Sequence, residues 1–296
     1  MSLCNICPRK CNIDRSKNIG FCRENNVLRI SRIAPHFYEE PPISYKNGSG
    51  TIFFTGCNLR CVFCQNKSIS QGNSIGKEYS QNELIEAIIK LQESNVHNIN
   101  LVTPTHFALQ IKEVLEKMKI QGLLHVPVIY NSSGYESIET LKSLDGLIDI
   151  YMPDLKYFSS ELSAKYSSAP DYFEVASKAI AEMFCQRGRY KYNEKNPELL
   201  DSGVIIRHLV LPSHRKDSIE ALTRLSKIVP PQDVLISLMS QYTPEFALDT
   251  PYPELHRRIT SFEYTSVCNV ATSLGFDGFM QARSSASSVY TPKFND

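Results

Sequence analysis

The chain predicts an α/β fold, a parallel sheet with helical crossovers behind a cysteine-rich N-terminal segment, and three observations predict it. Apolar, strand-like runs alternate with amphipathic helical stretches over most of the 296 residues, the pattern of a parallel sheet covered by its own crossovers. Seven of the nine cysteines lie before residue 65. Three of them, Cys57, Cys61 and Cys64, follow directly on the first apolar run, Thr51 to Gly56.

The first four cysteines are spaced Cys4-x2-Cys7-x3-Cys11-x10-Cys22, in a stretch that also carries Pro8, Gly20 and several basic residues. Four thiols so close can close around one metal ion or supply every iron of a cubane. A structural zinc suits a short stretch with little apolar content, and an auxiliary 4Fe-4S cluster suits a neighbour that must be reduced. Residues 1–45 are therefore expected to form a metal-binding extension and 46–296 the main body. After the run at Thr51, strands are expected at Asn98 to Thr103, Val126 to Asn131, Leu147 to Met152, Val204 to Leu211 and Val234 to Met239. Helices between them have start signals of capping-box type at Ser80–Glu83 and Asp171–Glu174, with a similar one at Asp217–Glu220. The helix after Ser80 carries Leu84, Ile85, Ile88, Ile89 and Leu91 on one side, and that from Ser218 carries Ile219, Leu222, Leu225 and Ile228. A last helix is expected over Pro253 to Leu274, stopped by Gly275. Cys185 and Cys268 fall in helical patterns and are expected to be buried thiols.

Composition narrows the class. With 42% hydrophobic residues the chain can bury one large core, and 32 basic against 31 acidic residues leave no global field to hold nucleic acid. The N-terminus, Met1-Ser2-Leu3-Cys4, has no apolar signal region, and no run of about 18 apolar residues occurs. A cytoplasmic protein is expected, in which thiols serve as ligands or core residues and not as disulfides.

Three thiolates in one loop are one short of the four that normally hold an iron-sulfur cluster. A zinc knuckle or chance core cysteines are the alternatives, although zinc sites usually close with four ligands. The spacing Cys57-x3-Cys61-x2-Cys64, with Phe63 just before the last cysteine, resembles the signature of the radical S-adenosylmethionine (SAM) superfamily. The resemblance implies a partial (β/α)6 barrel and a 4Fe-4S cluster on Cys57, Cys61 and Cys64. The amino and carboxylate groups of SAM would chelate the fourth iron. Reductive cleavage of SAM would then yield a 5′-deoxyadenosyl radical that takes hydrogen from a substrate.

In parallel barrels the reactive groups collect at the carboxyl ends of the strands. Past each strand here lie Thr103-Pro104-Thr105-His106, Asn131-Ser132-Ser133-Gly134-Tyr135, Pro153-Asp154-Leu155-Lys156, Arg207-His208 and Ser240-Gln241-Tyr242. Ordinary loop chemistry and helix caps explain Ser132, Ser133 and Thr105 as well as a ligand role does. Charges inside strand patterns are harder to dismiss, because a strand buried on both faces does not carry an unpaired guanidinium. One of Arg207 and His208 is expected to point into the barrel, where an arginine can grip the SAM carboxylate or ribose. Asp154 and Lys156, two apart on an extended segment, face the same way and can form an ion pair or bind the amino-acid portion of SAM. The candidate SAM-binding residues are thus Phe63, Thr103, Thr105, Asn131, Asp154, Lys156, Arg207 and His208.

Asp154-Leu155-Lys156 and the Arg207 to Pro212 stretch are similar to elements of glycyl-radical-enzyme activating proteins, and the whole chain resembles the pyruvate formate-lyase activating enzyme-like family. Cys4 to Cys11, His36-Phe37-Tyr38-Glu39-Glu40-Pro41-Pro42-Ile43, Cys61 to Asn66, Val102 to His106 and Asn131 to Tyr135 carry that likeness. A Gly-Gly-Glu-type segment is missing after the second strand, where Thr103 and Thr105 offer no carboxylate. The resemblance implies a flavodoxin or ferredoxin-type reductant as partner. It implies as substrate a glycyl radical protein, or a small molecule in a pocket lined by groups such as His106, Tyr135, Gln241 and Tyr242. An RNA-modifying enzyme and a non-enzymatic two-centre electron carrier are the remaining alternatives. The His36 to Pro42 stretch is expected at the rim of the mouth or as an extended spacer.

Overall fold

The computed structural model describes residues 3–71 and 76–280. After an N-terminal stretch without regular structure come strand β1 (Leu28–His36), the short helix α1 (Pro41–Ser44), β2 (Ser49–Phe54), α2 (Lys67–Ser70) and β3 (Lys77–Tyr79). The middle of the chain alternates α3 (Gln81–Glu93), β4 (Ile99–Val102), α4 (Ala108–Ile120), β5 (Val128–Ser132), α5 (Ile138–Ser143) and β6 (Ile150–Pro153). Helices α6 (Ser160–Ser167) and α7 (Tyr172–Arg187) then lead to β7 (Lys191–Tyr192), β8 (Leu200–Leu209), α8 (Arg215–Leu225), β9 (Leu235–Met239), α9 (Ser261–Ser273) and β10 (Asp277–Met280).

All six expected strands form, as β2, β4, β5, β6, β8 and β9, and they lie side by side in parallel in that order. Strand β10 extends the sheet in parallel beyond β9, while β1 and β3 extend it antiparallel beyond β2. The sheet curls into an open, partial (β/α)6 barrel with helices outside. Strand β1 lies outside the expected set, although Leu28 and Ile30 alternate with Arg29 and Ser31 there. It pairs with β2 from Ile30–Phe54 to His36–Ser49, so the expected boundary at 45/46 falls inside one antiparallel pair of the same sheet.

Period-two alternation sorts the strands into two cores. The outer core, between sheet and helices, holds Ile52, Phe54, Leu101, Val204 and Ile206 with Leu84, Ile88, Leu115, Ile180 and Leu222. A second cluster inside the barrel holds Ile129, Ile150, Met152, Ile205 and Leu235 around Ile43 of α1. The His36–Pro42 stretch is not a spacer, and only part of it lies at a rim: His36, Tyr38 and Glu39 line the cavity, with Tyr38 exposed, while Pro41 and Pro42 enter α1. Because β1 runs antiparallel to β2, His36 ends beside Ser49, at the end opposite the cysteines. The chain then turns into α1, where Pro41 suits a first helical position. Asn98 Nδ2 donates to the Ile43 carbonyl at 2.8 Å and pins this plug in the barrel floor.

The helix starts are partly as expected. Ser80 and Glu83 form a full capping box on α3. Asp171 does not cap α7, because its carboxylate accepts from the Tyr135 hydroxyl at 2.7 Å. Helix α8 begins at Arg215, and Asp217 instead accepts the backbone N–H groups of Phe158 and Ser159 at 3.1 and 2.6 Å. The last helix is shorter than expected: Pro253–Leu255 is one 3-10 turn, and α9 starts after a Thr260–Glu263 capping box. Gly275 follows it at φ +85°, as a helix stop should. Cys268 is buried, but Cys185 is exposed, since it sits on the solvent side of α7.

The plug has a measurable weight. Ile43→Ala is expected to lower unfolding stability by about 2–5 kcal/mol in urea titrations, whereas Ile120→Ala, at a site 86% exposed, is expected to change it by less than about 0.5 kcal/mol. Equal effects would remove the plug from the core.

Candidate active site

At the carboxyl end of β2 the chain reaches Gly56 at φ +78°, where an added Cβ would meet the Cys22 carbonyl oxygen at 2.6 Å. Only glycine tolerates both the conformation and the approach. The N-terminal segment is thereby laid directly on the cysteine loop: the Cys57 N–H donates to the Cys22 carbonyl at 3.2 Å. Arg9 donates to the Asn58 carbonyl at 2.7 Å and to the carbonyls of Ser167 and Ser168. Its guanidinium and that of Arg60 lie 3.9 and 4.1 Å from the Phe21 ring centroid, within the range of cation–π attraction. Asn58 donates to the Tyr135 carbonyl and accepts from the Ser133 hydroxyl, which ties the loop to the end of β5.

Cys57, Cys61 and Cys64 line one cavity of about 250 Å³. Burial pushes the Cys61 thiol up to about 12, with Lys156 pulling it back and Cys57 and Cys64 adding to the rise. Burial also raises Cys64. Ser167 donates to the Cys61 sulfur at 3.0 Å, and the Leu59 N–H to the Cys57 sulfur at 3.4 Å. Buried thiols of this kind release their protons when a metal takes them as thiolates. Among the described residues no three His, Cys, Asp or Glu side chains are gathered closely enough to hold an ion. A metal would have to draw either cysteine set together. The donor set of the loop fits an iron-sulfur cluster nonetheless: soft sulfur ligands, shielded, all facing one cavity.

Below the cysteines runs a ladder of buried charge. Lys156 Nζ donates to Asp154 Oδ2 at 2.6 Å. Arg207 donates from Nε to Asp154 Oδ1 at 3.0 Å and from Nη2 to Asn131 Oδ1 at 2.7 Å, with Nη1 3.8 Å from Glu39. Burial opposes the charge on Asp154, but Arg207 and then Lys156 outweigh it and hold its carboxyl below the usual range. Burial likewise opposes Lys156, and Asp154 lifts it to about 12. The expected Asp154–Lys156 pair therefore exists. The Arg207 fork is not the free clamp expected of it, because all its nitrogens face Asp154, Asn131 or Glu39. Lys156 retains capacity, since an ammonium has three donors and Asp154 takes one.

The cavity brings together Phe63, Thr103, Asn131, Asp154, Lys156, Arg207 and Gln241 from the expected set. It does not take in His208 or Thr105. Alternation along β8 turns His208 outward, fully buried, with Nδ1 2.6 Å from the Leu155 carbonyl. Thr105 donates to Glu136 at 2.6 Å in the outer core. His106, Tyr135 and Tyr242 also stand outside the cavity, bonded to the Thr55 carbonyl, Asp171 and the Leu255 carbonyl. The four N-terminal cysteines lie on the far side of the loop. Cys11 and Cys22 sulfurs both lie within 3.6 Å of the position of a Cβ on Gly20, and burial pushes Cys7 up to about 12.

Residues 51–225 match the family model of the Radical SAM superfamily. An uncharacterized protein of Methanocaldococcus jannaschii is 30% identical over 284 residues, covering 93% of this chain and 75% of its own length. The crystal structure of a radical SAM methyltransferase from Sphaerobacter thermophilus superposes with a TM-score of 0.51 at 12% identity, over 78% of this chain. This chain spans 65% of that structure's length, and the likeness is one of fold. A domain of pyruvate-formate lyase-activating enzyme from Bacteroides vulgatus covers 60% of this chain and 92% of its own, at 14% identity and a TM-score of 0.41, too loose to bear on the reaction.

Glu136 is a residue that the strand-end reading passed over by stopping at Tyr135. It is buried and accepts from Thr105 at 2.6 Å and from the Tyr130 hydroxyl at 3.1 Å. Burial raises its carboxyl to about 7, with hydrogen bonds from Thr105, Tyr130 and Ser132 offsetting part of the rise. The fold favours the protonated acid, so stability is full below the unfolded value of 4.5 and declines as pH rises toward about 7. Glu136→Gln is expected to gain stability relative to the parent between about pH 5 and about pH 8, read from urea midpoints. A difference constant with pH would show that Glu136 does not titrate in this range.

Proposed function

The chain belongs to the Radical SAM superfamily, and we propose that it cleaves SAM reductively at a 4Fe-4S cluster held by Cys57, Cys61 and Cys64 and abstracts hydrogen from a small substrate inside the barrel. The observation that carries this reading is the single cavity lined by the three thiols together with Asn131, Asp154, Lys156 and Arg207. When bound, the cluster supplies the electron that releases a 5′-deoxyadenosyl radical from SAM. The chain's own residues do the rest. Lys156, buried beside Cys61, offers ammonium donors to an anionic group such as the SAM carboxylate. Asn131 and Thr103 line the wall beside it, and Phe63 backs the cavity against Tyr242, with ring centroids 6.1 Å apart. Phe53, Leu209 and Met239 add apolar surface that excludes water from a reactive intermediate.

A glycyl radical protein as substrate, as for an activase, is the second reading. The plugged floor favours the small molecule, because a loop of another protein would need an open mouth and no chamber below. The cysteines at Cys4, Cys7, Cys11 and Cys22 would hold a second metal, zinc or an auxiliary 4Fe-4S cluster. A flavodoxin or ferredoxin-type protein would deliver the electron, in the cytoplasm. Anaerobic reconstitution with iron and sulfide, followed by reductant and SAM, is expected to yield 5′-deoxyadenosine from the parent and none above background from Cys57→Ala. A fully loaded parent that makes no more than the variant would sink the proposal.

A further inference from the structure

The floor of the barrel carries carboxyl groups that the chemistry at its mouth does not use. Glu39 lines the lower wall of the same cavity as the cysteines. It accepts from Asn100 Nδ2 at 3.1 Å and stands 3.8 Å from Arg207. Glu40 is buried behind it, in the field of Arg207 and beside the Ser237 hydroxyl. Within the barrel, then, Glu39, Glu40 and Asp154 face Arg207 and Lys156, three carboxyl groups against two cations. Arg207 cannot balance both floor acids, because Asp154 and Asn131 already hold its Nε and Nη2.

Two further atoms point the same way. Oε2 of Glu40, in a side chain 7% exposed, and Oδ1 of Asn100, in one 0% exposed, have no hydrogen-bond partner among the described residues. Both are acceptors. Asn100 turns its N–H to Glu39, which leaves its oxygen as an acceptor beside that carboxyl. Unmatched acceptors beside a carboxyl that lines the cavity call for a group with several N–H donors. Burial raises both floor carboxyls and Arg207 lowers them, so a second cation would favour their charged forms.

We infer that Glu39, backed by Glu40 and Asn100, is a substrate subsite for the ammonium group of a small aliphatic amine that enters from the cysteine end. The inference rests on the radical SAM reading of the mouth. The ammonium of SAM itself does not suit this place: it belongs at the cysteines, and the Lys156–Asp154–Arg207–Glu39 ladder separates those from the floor. An amine held at the floor would extend its carbon chain upward past Phe53, Val102 and Met239, toward the place where a hydrogen can be abstracted.

The test is equilibrium dialysis of the reconstituted holoenzyme, with and without SAM, against 1,4-diaminobutane, ornithine and lysine and against 1,4-butanediol as the uncharged counterpart. Amines are expected to bind at least about tenfold more tightly than the diol, and SAM is expected not to displace them. Glu39→Gln is expected to weaken amine binding about tenfold or more. No binding by any amine, equal binding of amine and diol, or displacement by SAM would each overturn the subsite. Should Glu39→Gln fold poorly, the comparison of amine with diol on the parent protein decides alone. Amine binding without any 5′-deoxyadenosine would leave the subsite standing and remove the radical reading, and the converse result would remove the subsite only.

Discussion

The buried guanidinium of Arg207 is the constraint on which the interior depends. An arginine inside a barrel is tolerated only when its charge and donors are met, and breaking such a pair typically costs about 3–5 kcal/mol. Asp154, Asn131 and Glu39 meet them from three different elements. The Asp154–Arg207 contact also continues the pairing of β6 with β8 beyond its regular ladder. That places Lys156, two residues on, beside Cys61 at the mouth. On the other side the same guanidinium faces Glu39 at the floor. Mouth, wall and floor are thus joined by one chain of ion pairs.

A second constraint holds the cysteine loop from outside. Gly56 lets the backbone of Cys22 pass close enough for a hydrogen bond to Cys57, and the Arg9–Phe21–Arg60 stack covers the loop. Each contact is modest by itself, about 0.5–2 kcal/mol for a cation–π pair. Together they anchor a loop whose thiols must otherwise meet a metal from a flexible start, which matters because ordering a residue costs about 1–2 kcal/mol. The two cysteine sets are therefore one mechanical unit.

Polar and apolar residues share the lining of the barrel cavity. Thr51 and Asn100, register partners on β2 and β4, lie at the lower level. Asn131, Asp154, Arg207 and Ser237 lie above them, nearer the cysteines. Ile43 and its partners seal the bottom. This layering makes a chamber with one polar end at the cysteines and another above the plug, separated by the Arg207 ladder.

The sequence by itself determined the succession of strands and helices, the cysteine loop and the shared direction of Asp154 and Lys156, because these follow from local periodicity and spacing. Six apolar runs separated by amphipathic helices admit few arrangements, and three cysteines within eight residues must share a loop. The tertiary structure alone decided which of Arg207 and His208 faces the cavity, since neighbours in a strand differ only by which side the sheet presents to the interior. It likewise drew Thr105 away to Glu136 and used Asp171 and Asp217 as acceptors for distant donors where local patterning read helix caps. The largest difference concerns His36 to Pro42. Nothing local marks Glu39 and Glu40 as interior residues, and only the antiparallel return of β1 along β2 carries them under the barrel, where they face a buried arginine.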